Sequence, residues 1–358
     1  MSFNKVRYRS GNQTFSNKAL AFEHHFKYDT EKVMFEFAHA SFDTCDFAVE
    51  PQESFDELCK QRALQIRDST PYLAVAYSGG SDSNHLIDCF VRNNIKIDEI
   101  VMLKDNILTS TNLPHPQNWE IDNHAIPYIK SLNLDCKITV YDVTITESEL
   151  ENFLNYDSQF LFNRHDSYDV TIINWLKFQK DRPDLIFTCG STEPRVGYDN
   201  KVDKYYSFLY DTDNLRFRTH ITSDFMPFYT DPAFPKLHIK QCHIMKNFFR
   251  EHGHDGYIEG SENTLQPYKE LAIKLTRYNS FDTSSSPYFV KRKESIDQGN
   301  FLKKLMADFK TKTWLTYLSR INPNLAEMYV TSMKQTIDNF PIYALPVGVP
   351  IYKKKYLE

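Results

Sequence analysis

Short apolar runs and amphipathic segments alternate along the middle of the chain, from about residue 53 to residue 189. Four runs are typical of strands buried on both faces of a parallel sheet, at residues 72–77, 97–103, 136–141 and 185–189. Before the first run, apolar residues recur at helical spacing over residues 53–67. This alternation predicts a doubly wound α/β fold built on a mostly parallel, five-stranded sheet.

The flanking regions have different patterns. Residues 1–52 hold short alternating segments, which we interpret as a small β-rich N-terminal cap before the α/β domain of residues 53–225. Residues 226–358 begin with a proline-rich break at 226–235. Helical runs follow at residues 237–249, 264–278, 300–318 and 326–340. We therefore expect a helical C-terminal substrate region.

Two adjacent glycines join the first apolar run to a helical pattern. The hexapeptide is Ser78-Gly79-Gly80-Ser81-Asp82-Ser83, in a chain with only 10 glycines among 358 residues. Glycine accepts a positive φ and lets the backbone approach a ligand, while Ser81 or Asp82 can cap the helix that follows. Because the N–H groups at a helix N-terminus attract anions, this turn predicts a phosphate cradle. The alternative is a glycine turn that only reverses the chain.

These six residues resemble the S-G-G-x-D-S signature of the PP-loop ATP pyrophosphatases, and every fixed position matches. Neither a Walker A motif nor a G-x-G-x-x-G motif occurs in the chain. The resemblance implies an adenine nucleotide alpha hydrolase-like fold and cleavage of ATP between its α- and β-phosphates. The layout is closest to the synthetase domain of asparagine synthetase-like enzymes. Their glutaminase domain is not expected, because residue 2 is serine and the first cysteine is Cys45.

The same resemblance implies roles for individual residues. The β- and γ-phosphates would be held by the serines and glycines of the motif, Ser78, Gly79, Gly80, Ser81 and Ser83. Asp82 would lie beside a bridging Mg²⁺ ion, which favours a few carboxylates together with phosphate oxygens. Adenine would lie near Met102 and Leu103, at the carboxyl ends of the first two strands.

A second candidate loop follows the fourth apolar run, at residues 190–198. Gly190 matches the glycine of a second motif in the family, and Glu193 is the nearest substitute for the acidic pair of that motif. An ordinary strand-to-helix turn is the alternative, because glycine and proline are common in turns.

Two basic runs occur near the end of the sequence. Several members of the family use a basic residue from this region to neutralise pyrophosphate, which makes Arg292 and Lys293, with Lys291 beside them, catalytic candidates. A solvated charged face is the alternative. We interpret residues 353–355, three consecutive lysines, as a solubilising tail.

Composition narrows the choice of partners. The net charge is −5 and the pI is about 6.2, which argues weakly against a protein that coats nucleic acid. A nucleic-acid substrate is compatible with the sequence but not indicated. No stretch is apolar enough to span a membrane, and the first residues lack the apolar segment of a signal peptide, so we expect a cytoplasmic location.

The six cysteines lie at positions 45, 59, 89, 136, 189 and 242, without a C-x-x-C pair. The sequence therefore predicts reduced thiols and neither a zinc ribbon nor a cysteine-ligated cluster. His238 and Cys242 share a helix face in the predicted pattern, whereas His243 is rotated away from it. His252 and His254 follow closely, but packing is the favoured interpretation over a zinc site.

Three functional hypotheses remain open. The first is an ATP-dependent, AMP-forming ligase that activates a carboxyl or amide oxygen for attack by an amine or ammonia. The second is a PP-loop sulfurtransferase or an enzyme that modifies nucleobases or tRNA, with Cys189 as its nucleophile. The third is a nucleotide-binding regulatory protein without catalytic activity. The intact motif favours an enzyme that uses ATP, Mg²⁺ and an unidentified acceptor.

Overall fold

A computed structural model describes residues 6–15, 33–37, 39–108, 121–146, 185–190, 194–209, 225–252 and 355–358, with individual residues between these ranges. Within them the strands are β1 (Val6–Ser10), β2 (Gln13–Phe15), β3 (Met34–Phe37), β4 (Leu73–Ala76), β5 (Glu99–Leu108), β6 (Lys137–Thr146), β7 (Ile186–Cys189), β8 (Arg195–Asp199), β9 (Lys204–Phe208), β10 (Phe225–Pro227) and β11 (Lys355–Tyr356). The helices are α1 (Ala40–Thr44), α2 (Phe55–Asp68), α3 (Ser81–Arg92), α4 (Ile126–Ser131) and α5 (Pro235–His252). A π-helical turn, Ile121–Ala125, leads into α4.

The central sheet is parallel, with five strands in the order β10-β7-β4-β5-β6. Val75 of β4 lies opposite Ile100 of β5 on one side and Thr188 of β7 on the other. Helices flank this sheet, so the predicted doubly wound α/β class is confirmed. Strand order reverses beside β4, and ligands of such sheets bind at the carboxyl ends of the strands next to this reversal.

Apolar side chains cover both faces of the central sheet, which explains why its strands are continuous apolar runs rather than alternating ones. On one face, Leu58 and Ile66 of α2 and Leu86 of α3 join the largest buried cluster below the sheet. On the other face, Phe178 and Phe187 pack together with Val101. All four residues of β4 are buried.

The helix α2 begins where the sequence pattern predicts, because Ser54 and Glu57 form a capping box. The Ser54 side chain accepts a hydrogen bond from the Glu57 N–H, and the Glu57 carboxylate accepts one from the Ser54 N–H. These two bonds satisfy N–H groups that the helix itself cannot pair. The capping box thus fixes the start of a helix that packs directly on α3 and α5.

The predicted β-rich N-terminal segment is confirmed as a three-stranded antiparallel sheet in the order β2-β1-β3. Tyr8 and Phe35 from this sheet are buried with Val196 of β8 and with Met245 of α5. The helix predicted at residues 237–249 is present as α5. It contributes Leu237 to the cluster under the central sheet and Met245 to the N-terminal one, so it joins the two cores.

Several segments differ from the sequence prediction. The candidate loop at 190–198 contains β8, and a further strand, β9, follows it. These strands form an antiparallel sheet with β11, in the order β11-β9-β8. The interpretation of residues 353–355 as a solubilising tail is wrong for Lys355, which pairs with Ser207. Leu357 is buried, and burial of this side chain favours pairing over solvation.

The fifth strand of the central sheet lies where the sequence predicted a proline-rich break. β10 has three residues and pairs in parallel with β7, with Met226 opposite Thr188. It is an edge strand in the observed order, which is the position at which a proline such as Pro227 is tolerated. The division of the chain at residues 52 and 225 stays a prediction.

A buried carboxylate, Glu99, lies at the amino end of β5, away from the motif. It accepts hydrogen bonds from Thr139 and Tyr72 and is paired with Arg182 at 2.9 Å. Burial raises the pKa of Glu99, but the hydrogen bonds from Arg182, Thr139 and Tyr72 outweigh burial and lower it to about 2. Glu99 therefore ties the amino ends of β4, β5 and β6 together as a charged group.

Among the described helices, none has the length and apolarity that a membrane crossing requires.

Candidate active site

The motif lies at the carboxyl end of β4, in the turn that leads into α3. Gly79 has a φ of +75°, and a Cβ at this position would lie 2.9 Å from the Cβ of Ala125. Both the backbone angle and the close contact require glycine. The predicted positive φ is thus present at Gly79 alone, because Gly80 has a φ of −76°.

Gly80 is the N-cap of α3, which corrects the expectation that Ser81 or Asp82 caps the helix. Because glycine has no side chain, the N-cap residue cannot accept hydrogen bonds from the first-turn N–H groups of this helix. A Cβ on Gly80 would come within 4 Å of a single atom, the Ser78 Oγ at 3.4 Å, and would otherwise point into open space. The open volume lies beside a helix N-terminus, where the helix dipole favours negative charge.

Two serines stabilise the turn. The Ser83 hydroxyl donates to the Gly80 carbonyl at 3.0 Å and accepts from the Ser78 N–H at 3.4 Å. The Ser78 Oγ accepts from the Gly80 N–H at 3.4 Å and is 3.3 Å from the Ser83 Oγ. Ser83 is buried and Ser78 is exposed. Hydrogen bonds among its own residues therefore hold the turn in shape, and the exposed Ser78 hydroxyl is accessible to a ligand.

Tyr77 and Asn84 hold the turn from the opposite side. The Tyr77 hydroxyl donates to the Asn84 side-chain carbonyl at 2.5 Å, and the Asn84 amide donates to the Gly79 carbonyl at 3.4 Å. Both side chains are buried. Because buried hydrogen bonds are costly to break, they restrict the position of Gly79. Neither residue stands out in the sequence.

Gly190 lies directly against the motif. A Cβ at residue 190 would be 2.5 Å from the carbonyl oxygen of Asp82 and 3.2 Å from the ring of Tyr229. The end of β7 can approach the first turn of α3 only because residue 190 has no side chain. The structure therefore brings together Gly190 and Asp82, two residues that the sequence analysis assigned to separate motifs.

Tyr229 is a component of the site that the sequence analysis missed. Its hydroxyl lies 2.6 Å from the His85 Nδ1 and donates to the Asp82 carbonyl at 3.3 Å. The Tyr229 ring is completely buried and stacks on the imidazole of His85. Tyr229 thus connects the segment after β10 to the first two turns of α3.

A buried ion pair fixes the segment that carries Tyr229. Arg62 of α2 donates to the Pro227 carbonyl and to the Asp231 carboxylate, each at 2.6 Å. Both charged side chains are at least 96% buried, so each depends on the other for solvation. Because Pro227 and Asp231 lie on either side of Tyr229, this pair holds the tyrosine against α3.

The predicted adenine-binding residues lie at the carboxyl end of the region where β4 and β5 pair. The Tyr77 N–H donates to the Val101 carbonyl, and Met102 and Leu103 follow on β5. The Met102 side chain is fully buried in the core, so its backbone is the part that lies at the strand end. Leu103 is half-buried. An ion pair between Lys104 and Asp122, at 2.6 Å, lies further along β5.

Other predicted site residues have different outcomes. Cys189 is half-buried at the end of β7, and its carbonyl accepts from the Phe228 N–H. Glu193, Lys291, Arg292, Lys293 and His254 lie outside the described residues, and their roles stay predictions.

The predicted face shared by His238 and Cys242 is present, and it supports packing. His238 Nε2 lies 2.9 Å from the Ser207 Oγ and 3.6 Å from the Cys242 Sγ, while His243 Nε2 bonds the Phe47 carbonyl. Burial lowers the pKa of His238 to about 4 and raises the pKa of Cys242 to about 12. Both side chains are therefore neutral at pH 7 and belong to the core around α5.

No family model matches the sequence, and no curated protein is similar to it in sequence. Many solved structures share limited similarity with the chain, and two examples illustrate it. One is an NH3-dependent NAD synthetase from Campylobacter jejuni, at 12% identity and a TM-score of 0.27, covering 83% of this chain and 99% of that one. The other is the U34-tRNA thiolase NcsA from Methanococcus maripaludis with its [4Fe-4S] cluster, at 12% identity and a TM-score of 0.28. That alignment covers 68% of this chain and 80% of the thiolase. Similarity at this level does not assign a function.

Proposed function

We propose that this protein is an ATP-dependent adenylating enzyme of the PP-loop type, which cleaves ATP to AMP and pyrophosphate. The observation that carries the proposal is the turn at Gly79 and Gly80. It combines a positive φ, an open approach beside Gly80 and the uncapped N-terminus of α3. Such a turn suits phosphate groups, because backbone N–H groups and the helix dipole both favour an anion.

In this proposal the motif binds the β- and γ-phosphates, which leaves the α-phosphorus open to the second substrate. The phosphate-binding residues are Ser78, Gly79, Gly80, Ser81 and Ser83. The half-buried carboxylate of Asp82, in the first turn of α3, suits a Mg²⁺ ion held between protein and phosphate oxygens. Such an ion supplies charge neutralisation for the departing pyrophosphate. Arg292 and Lys293 are the proposed basic residues for the same task.

Catalysis in this site consists of positioning and charge stabilisation rather than covalent chemistry by the protein. The substrate oxygen attacks the α-phosphorus and pyrophosphate leaves, which gives an acyl- or amide-adenylate. An amine or ammonia then displaces AMP, as in asparagine synthetase-like ligases. The protein orients both reactants through the rigid turn, Gly190 and the strand end at Met102 and Leu103.

Product analysis tests this proposal directly. Labelled ATP, Mg²⁺, ammonium and a panel of carboxylic acids should give AMP and pyrophosphate, and labelled pyrophosphate should exchange into ATP when the right acid is present. Formation of ADP and orthophosphate at a comparable rate would contradict the assignment. Failure of α,β-methylene ATP to bind at all would also contradict it, because binding does not depend on the acceptor.

One observation favours a second candidate, a sulfurtransferase. Cys189 directly precedes Gly190, the residue that contacts the Asp82 backbone, and its side chain is half-buried at the site edge of the sheet. A thiol in this position suits the role of nucleophile that the sulfurtransferase hypothesis gives to Cys189. In this case Cys189→Ser should abolish product formation while pyrophosphate exchange continues. Loss of neither activity would leave Cys189 as a packing residue.

A further inference from the structure

Three buried side chains with metal-binding chemistry come together behind the candidate active site. Cys59 of α2 and His85 and Cys89 of α3 each offer one ligand atom, and these atoms lie within 4.8 Å of one another. Their exposed fractions are 1%, 4% and 0%. The sequence gives no sign of this cluster, because Cys59 and Cys89 are 30 residues apart and do not form a C-x-x-C pair.

The separation of the ligand atoms suits a tetrahedral metal ion. Zinc binds thiolate at about 2.3 Å and imidazole at about 2.1 Å, so the two ligand atoms lie about 3.6 Å apart around a tetrahedral centre. The Cys89 Sγ lies 3.6 Å from the His85 Nδ1 and 3.8 Å from the His85 Nε2. His85 and Cys89 are one helical turn apart, which places both on the same face of α3.

The hydrogen bond between His85 and the Tyr229 hydroxyl is also typical of a metal-binding histidine. Its Nδ1 lies 2.6 Å from the Tyr229 hydroxyl, so Nε2, which is 3.8 Å from the Cys89 Sγ, is the ring nitrogen left for the metal. Metal-binding histidines usually use one ring nitrogen for the metal and the other for an oxygen that fixes the ring orientation. The ring of Phe55 stacks on His85 and further restricts it.

The chain contains an internal comparison for this arrangement. His238 and Cys242 of α5 have the same spacing and are equally buried, and their sulfur-to-Nε2 distance is 3.6 Å, compared with 3.8 Å for Cys89 and His85. Their third neighbour is the Ser207 hydroxyl, which the Cys242 Sγ contacts at 3.3 Å. A hydroxyl is a poor zinc ligand compared with a thiolate. The second thiol is therefore the feature that separates the cluster on α3 from ordinary packing.

We propose that Cys59, His85 and Cys89 bind one Zn²⁺ ion that joins α2 to α3 behind the phosphate cradle. Two thiolates and one imidazole match the ligand preference of zinc, and one position of a tetrahedral ion remains for a non-protein ligand. Binding releases the two thiol protons to solvent and involves no change of oxidation state. The ion fixes His85, which through the Tyr229 hydroxyl is connected to the Asp82 carbonyl.

Metal analysis of the full-length protein tests this proposal without ATP, so its outcome is independent of the proposed function. After dialysis, the wild-type protein should contain about one zinc per chain. Stripping the metal and adding Co²⁺ should produce thiolate-to-cobalt charge-transfer absorption and the visible bands of a tetrahedral ion. Cys59→Ser and Cys89→Ser should each lose the metal, whereas Cys242→Ser, the matched control, should retain it.

A second measurement covers the case in which the serine variants fail to fold. Zn²⁺ added to metal-stripped wild-type protein should raise its Tm in a concentration-dependent manner, because an ion that binds only the folded state stabilises it. Absence of both a cobalt spectrum and a Tm shift would overturn the proposal. A Cys59–Cys89 disulfide in the freshly isolated protein, or metal retained in both variants, would overturn it as well.

Discussion

A Cβ on Gly190 would lie 2.5 Å from the carbonyl oxygen of Asp82, so the end of β7 and the first turn of α3 meet backbone to backbone. The strand and the helix begin in separate parts of the sequence, and the proposed phosphate cradle depends on their contact. Any side chain at residue 190 would therefore push the strand end and the helix apart, because the backbone carbonyl of a helix cannot rotate away as a flexible side chain can.

Gly190→Ala should therefore lower both stability and ATP affinity. Overpacking of this kind costs about 1–3 kcal/mol in the free energy of unfolding. Urea unfolding and titration with ATP measure the two effects. Gly197→Ala is the control, since its Cβ would meet the Tyr206 ring at 2.9 Å, away from the motif. This control should lose stability and keep its ATP affinity, and an equal loss of affinity in both variants would argue against a local effect.

The two motif glycines should respond differently to substitution. Gly79→Ala should destabilise the protein by about 1–2 kcal/mol or more, because residue 79 has a positive φ and little space beside Ala125. Gly80→Val should leave stability near the wild-type value and weaken ATP binding, because its side chain would fill the open approach to the helix N-terminus. Thermal unfolding and ATP titration of both variants separate the two roles. Wild-type ATP affinity in Gly80→Val would contradict the cradle.

Asp82→Asn should fold normally, bind ATP and lose most adenylation activity. An uncharged amide has nearly the same shape as the carboxylate but is a poor ligand for Mg²⁺. Pyrophosphate exchange at increasing Mg²⁺ concentrations is the measurement. Asp88→Asn, on the same helix, is the control because its contact with the Tyr128 hydroxyl at 3.0 Å can persist in the amide. Full activity of Asp82→Asn would remove Asp82 from the metal role.

Tyr229→Phe should weaken ATP binding by up to about 10-fold, because it removes the hydroxyl that connects His85 to the Asp82 carbonyl. A hydrogen bond of this kind contributes about 0.5–1.5 kcal/mol. Isothermal titration with ATP measures the loss. Tyr128→Phe, a change on α4, removes the hydroxyl that donates to Asp88 of α3 and should leave ATP affinity unchanged. Equal affinities for all three proteins would show that the Tyr229 hydroxyl has no part in the site.

Acid should destabilise the protein partly through Glu99. Its ordinary pKa is 4.5, and ion pairing and hydrogen bonds, against the effect of burial, lower its pKa in the folded protein to about 2. Since the unfolded chain binds the proton more tightly, the contribution of Glu99 to stability is complete above pH 4.5 and is lost as the pH falls towards 2. Glu99→Gln should therefore be less stable at pH 7 and lose less stability on acidification. The exposed Glu251→Gln should retain the wild-type pH dependence in urea unfolding curves.

The elements predicted from the sequence are those with local, redundant signals. β4 is an apolar run, α2 has a capping box at Ser54, and the turn between β4 and α3 has two adjacent glycines. β10 has only three residues, one of them proline, so its pairing with β7 leaves no pattern in the sequence. Strand β8 was missed because Gly190, Pro194 and Gly197 suggested a loop.

The missed site residues share a different cause. Tyr229 reaches Asp82 across 147 residues, and Cys59 meets Cys89 only because α2 packs on α3. Contacts of this type depend on the packing of complete elements, and no local pattern encodes them. The chain has 22 tyrosines, so the identity of Tyr229 alone could not distinguish it from the others.

The long separation between Asp82 and Tyr229 also orders events during synthesis. Closing a loop of 147 residues costs about 4 kcal/mol of chain entropy, which a nascent chain cannot recover before the closing residues have left the ribosome. Until then, the turn at Gly79 has emerged without the tyrosine that anchors it. The proposed ATP site is therefore complete only after the chain has grown beyond Asp231.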